Sequence, residues 1–210
     1  MKKESKFFII NYTDSDNDYI DKLLIDIDTE ALKIMEFFGI DEIKDKFEVN
    51  LIPTKKEFSK LSLELCNFKD DEYGIGFVKD RIMYCLSFKD YKSTYYSFYK
   101  YEDFVKTIIH EFVHSCHQLK TNNRSSIRCI NEGLACYLSR QYDREIHELE
   151  ASLEDFVNDK YINYDNYYLL VEFIFNNYDN DYISELIYNK EFARNEIEKI
   201  YNDYKQSHRR

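Results

Sequence analysis

Three of the five histidines in this 210-residue chain fall within eight positions, in TIIHEFVHSCHQ (107–118). His110 and His114 flank Glu111 in the order H-E-x-x-H. On an α-helix, residues four apart lie about 40° around the axis and one turn along it. Two imidazoles so spaced face a single point, as a pair of nitrogen ligands to a metal. Glu111 sits beside the first of them but is rotated away, where its carboxylate can reach a water without binding the metal. With five histidines in 210 residues, chance produces this pattern about 0.01 times. The helix itself is written in the apolar positions Phe104, Val105, Ile108, Ile109, Phe112, Val113, Cys116 and Leu119.

A catalytic zinc needs a third protein ligand and an open position for water. The metzincin completion requires Gly at 117 and His at 120, but His117 and Lys120 stand there. His147 lies among charges in REIHELE, and His208 lies near the C-terminal end. INEGLACYL (130–138) remains, and its Glu132 follows His114 by 18 positions. That gap accommodates a loop and the start of a second helix folded back on the first. Gly133 costs a helix about 1 kcal/mol relative to Ala. Close approach to the metal helix is one reason to accept it. His117 shares the ligand face one turn past His114, and a packing role beside the site is expected for it.

HEFVH followed at this distance by NEGLACYL resembles the gluzincin metallopeptidases, and most closely the compact peptidase MA-like domains. The resemblance covers most of the chain. It implies a zincin-like fold, one Zn²⁺ per chain held by His110, His114 and Glu132, and Glu111 as general base. YDNYYLLVEFIFNNY (164–178) is similar to a later helix of the family that opens with a tyrosine. By that register Tyr164 supports the oxyanion, with Tyr167 and Tyr168 as close alternatives. YGIGFV…RIMYCLS is similar to the strand pair at the upper edge of the family's cleft. The aminopeptidases of this group carry an acidic residue on that strand, and YGIGFV has none. The implied activity is hydrolysis of a peptide or protein substrate, as an endopeptidase rather than an aminopeptidase. The alternatives are a non-catalytic metal-stabilised binding or scaffold module, and a zinc hydrolase of a non-peptide amide.

These residues need elements to hold them. KFFIINY reads as a strand, 18–40 as a helix stopped by Gly39, and FEVNLIP as a second strand ending at Pro53. TKKEFSKLSLEL reads as a helix capped by Thr54. EYGIGFV and RIMYCLS, separated by the turn-like KD, read as a β-hairpin. Its Gly74 and Gly76 suit close backbone approach by a substrate strand. Residues 88–102 read as an aromatic surface loop. IRCINEGLACYLSRQY, SLEDFVN, YDNYYLLVEFIFNNY, DYISELIYN and EFARNEIEKIYNDY read as helices. Strands before residue 90 and helices after 102 indicate an α+β protein. The expectation is one catalytic domain, 1–210, with an α/β lobe over 1–102 and a helical lobe over 103–210.

Composition narrows the partners. Net charge is −11, and the one basic cluster is KQSHRR at the end. Nucleic acid and anionic membrane surfaces are therefore not expected. The apolar run Phe7–Ile10 is too short for a signal peptide, and no stretch approaches a membrane span. The five cysteines are odd in number and show no C-x-x-C pairing, which fits reduced thiols in a cytoplasmic protein.

Overall fold

A computed structural model describes residues 1–68, 74–122, 126–142, 148–158, 160 and 162–208. The architecture is α+β, as expected. Strands precede the hairpin's end at Leu86, and helices make up the rest. The chain divides into two compact units, Met1–Lys120 and Thr121–Arg210.

The first unit is built on a five-stranded mixed sheet. Its strands are β1 (Lys2–Glu4), β2 (Phe8–Asn11), β3 (Phe47–Ile52), β4 (Gly76–Lys79) and β5 (Ile82–Leu86). They lie in the order β1-β2-β3-β5-β4. β2, β3 and β5 run parallel, while β1 and β4 pair antiparallel at the two edges. Phe47, Val49 and Leu51 are buried on β3 and alternate with half-buried residues. That alternation gives the sheet one apolar face. Its polar face carries Asn11, whose Nδ2 donates to Glu48 Oε1 (2.8 Å) and Asn50 Oδ1 (3.0 Å).

Helix α1 (Ile20–Phe37) buries Ile20, Leu23, Leu24, Ile27, Ala31, Ile34 and Met35, the face its spacing predicts. It ends as expected at Gly39, whose φ of 59° places it in the left-handed region. There the Ile40 N–H donates to Met35 O (2.8 Å), satisfying a carbonyl of the last turn. Helix α2 (Lys55–Cys66) starts at Thr54, whose hydroxyl accepts from the Glu57 N–H.

The β4–β5 hairpin turns on Asp80 and Arg81, both at positive φ (52° and 67°). Its expected first residues, 72 and 73, lie outside the described ones. Residues 88–102 are not a plain surface loop. Phe88–Ser93 form a 3-10 helix whose Tyr91 is buried against Phe88 and Phe104. Aromatic side chains draw this segment into the core, and aromatic content carries no period from which to read that. Helix α3 (Tyr101–Thr121) follows and belongs to this first unit. Its Phe112 ring packs edge-on against Phe8 (5.0 Å) and Phe47 (4.7 Å), fixing α3 to the apolar face of the sheet.

The second unit contains α4 (Arg128–Ser139), α5 (Leu153–Val157), α6 (Tyr164–Asn177), α7 (Asn180–Tyr188) and α8 (Lys190–Ser207). Asn166 on α6 accepts from the N–H groups of Glu150 and Ala151, both at 2.8 Å. Ser126 donates to Leu186 O (2.7 Å) and so ties the start of α4 to α7. α8 continues to Ser207, and the His208 ring stacks on Tyr204 at 4.1 Å. Among the described residues no helix is long and apolar enough to cross a membrane.

Candidate metal centre

His110 and His114 lie one turn apart in the middle of α3, where the helix is held by Phe112 and by the buried Phe104, Ile108 and Cys116. Their Nε2 atoms are 3.2 Å apart and their rings meet at 78°. Two nitrogens each about 2.0–2.1 Å from one tetrahedral ion would be separated by about 3.3 Å. The pair therefore already has the spacing of two ligands on one ion.

Glu132 lies in the second turn of α4, where it is half-buried. The entry to this helix is fixed by Asn131, which accepts from Ser126 N and donates to Ser126 O, both at 3.2 Å. His110, His114 and Glu132 each offer one ligand atom, and these atoms lie within 4.8 Å of one another. Two imidazoles and a carboxylate are a donor set suited to zinc. The three residues could hold a metal ion.

Glu111 is not in this ligand group. It is buried at 6% exposure, and its carboxylate rests against β4. A Cβ added to Gly76 would lie 2.5 Å from Glu111 Oε1 and 3.0 Å from both Cγ and Cδ. Gly76 pairs in register with the fully buried Cys85 on β5. Burial pushes the Cys85 thiol well above its ordinary pKa, and the nearby Glu111 charge pushes it further. The strand glycines were expected to admit a substrate backbone. The group nearest to a Cβ at Gly76 is the carboxylate of the expected base. No sequence signal pairs 76 with 111, because their proximity is created by the sheet.

Gly133 is closely approached as well. A Cβ there would run into the Val171 side chain and lie 2.5 Å from Tyr167 O. The helix that meets Gly133 is α6. Its absent side chain sets the α4–α6 spacing.

His117 is buried and its ring stacks on Phe38 at 6.1 Å and 28°. It packs there beside the end of α1. His147 lies outside the described residues.

Tyr164 is the first residue of α6, half-buried, with its ring stacked on Tyr142 (5.9 Å, 5°) and edge-on to Tyr167 (5.8 Å, 86°). The two alternatives make local hydrogen bonds. Tyr167 Oη donates to Lys160 O (3.0 Å) and accepts from the Ile162 N–H (3.1 Å). Burial pushes its phenol up to about 12. Tyr168 Oη donates to Glu172 Oε1 at 2.9 Å.

No known protein family, curated protein or solved structure matches this chain.

Proposed function

We infer that this protein is a zincin-like, zinc-dependent hydrolase of peptide bonds. One observation carries the reading. Three residues offer neutral nitrogen or carboxylate ligands within 4.8 Å of one another, while the carboxylate next to the first histidine stands outside that group.

His110, His114 and Glu132 would hold the metal in this reading. Zinc at these residues would supply a Lewis acid that makes a water acidic near neutral pH. Glu111 accepts the proton of that water and returns it to the leaving amine. The carboxylate is buried, which favours direct proton exchange over loss of the proton to bulk solvent. Tyr164 donates its phenolic proton in a hydrogen bond to the oxyanion that develops on the scissile carbonyl. Tyr164 opens α6, as the tyrosine of the similar family helix does, and is half-buried there.

β4 lies at the edge of its sheet. An extended substrate can add to it as a further strand, through main-chain hydrogen bonds. Such recognition does not read a substrate's terminal amine, so an endopeptidase is favoured.

The test is a peptide-library digest by the purified chain. Cleavage that a chelator abolishes and zinc restores is the expected result. Stoichiometric zinc with no cleavage across the library would mark a metal-stabilised scaffold instead.

A further inference from the structure

We propose that Gly76 is a positioning residue: by presenting no side chain on β4, it sets where the Glu111 carboxylate rests. The proposal builds on the reading of Glu111 as general base.

Gly76 is the first residue of β4, and a glycine there loses more backbone freedom on folding than any other residue would, so its presence calls for a reason. Backbone conformation is not the reason. Gly76 is not among the residues at positive φ, so it takes a conformation open to other residues. Pairing is not the reason either, since β4 is regular from Gly76↔Cys85 to Lys79↔Ile82.

Space is the reason. A Cβ at 76 would meet three successive atoms of the Glu111 side chain, at 2.5, 3.0 and 3.0 Å. Alternation along the strand sends the next side chain, Phe77, to the other face. There it packs on Phe58 (5.4 Å) and Tyr84 (4.9 Å). The face that meets Glu111 is therefore formed by the missing side chain of Gly76, with buried Cys85 beside it.

The consequence of adding a methyl is specific. Ordinary van der Waals contact begins at 3.4 Å, so Oε1 must retreat from 2.5 Å, a shift of about 1 Å. A glutamate has enough rotatable bonds to swing aside, so the chain stays folded. A displacement of about 1 Å in a reacting group can cost as much as about 100-fold in rate. Gly76→Ala thus separates position from stability.

Two measurements on the full chain decide the matter. The first is crystallographic and independent of activity. Structures of the native chain and Gly76→Ala should show the Glu111 carboxylate displaced by about 1 Å or more over an unmoved β4 backbone. A carboxylate left in place, with β4 moved instead, overturns the proposal. The second is kinetic, on whichever library peptide the native zinc-loaded chain cleaves. Gly76→Ala should lower kcat by about 10- to 100-fold, with KM within about twofold and the thermal midpoint nearly unchanged. An unchanged kcat overturns the proposal even if native activity is present. If the native chain cleaves nothing, the hydrolase reading fails, and the crystallographic comparison still decides what Gly76 does.

Discussion

Gly133 on α4 lies so close to α6 that a Cβ on it would sit 2.5 Å from the carbonyl oxygen of Tyr167. The carbonyl belongs to the helix backbone and cannot rotate away as a side chain can. Gly133→Ala must therefore push two helices apart. The expected loss is about 1–3 kcal/mol or more, read as a lower midpoint in denaturant unfolding. A midpoint equal to that of the native chain would show that the two helices are not in contact at this point.

Glu111→Gln replaces the carboxylate with an amide of nearly equal size. Zinc content, measured by atomic emission, should stay near that of the native chain. Chelator-sensitive hydrolysis should fall by at least about 100-fold. Retained hydrolysis would remove Glu111 from the base position.

Glu132→Ala removes the one carboxylate from the ligand group. Two histidines alone make a poor zinc site, so the variant should purify with little zinc. Equilibrium dialysis should show a large loss of affinity. Native-like zinc content would exclude Glu132 as a ligand.

Two tyrosines one turn apart should respond differently to loss of the hydroxyl. Tyr164→Phe should reduce kcat by about 100- to 1000-fold while leaving the unfolding midpoint nearly unchanged. Tyr167→Phe breaks bonds to Lys160 O and Ile162 N and should instead cost about 1 kcal/mol of stability. The reverse pattern would transfer the oxyanion role to Tyr167.

Asp155 gives a pH signature. Its pKa is lowered from 3.8 to about 2, chiefly by the Ser152 hydroxyl and then by Lys160. A carboxyl whose pKa is depressed by folding stabilises the folded form above its unfolded value. That contribution is lost as pH falls through the folded value. The cap of α5 should hold above pH about 4 and loosen towards pH about 2. Carboxyl-carbon NMR should follow Asp155 through this range. Ser152→Ala should bring its midpoint back towards the ordinary value, and an unmoved midpoint would refute the cause given.

The features legible in the sequence are those that repeat locally. The buried face of α1, from Ile20 to Met35, follows helical spacing residue by residue. Thr54 begins α2 as a cap should, and Gly39 stops α1. The group that could hold a metal is legible in part for the same reason: helical geometry pairs His110 with His114, and Glu132 lies in a helical pattern 18 positions on. What was not legible depends on distant partners. β1 is KKE, three polar residues with no alternation, and becomes a strand through pairing with β2. The 3-10 helix at 88–93 is held by aromatic packing on Phe104. Gly76 and Gly133 each stand out as glycines in regular elements. Their neighbours, 35 and 34 or more positions away, are set only by the fold.

The sheet's two open edges have a bearing on self-association. β1 and β4 are three and four residues long, and lysines stand on both, Lys2 and Lys3 on one and Lys79 on the other. A second copy docking edge to edge would find few consecutive main-chain groups and would bring like charges together, so this route to aggregation is discouraged. An edge of this length suits one short extended guest that comes and goes, and gives little purchase to a growing stack of strands.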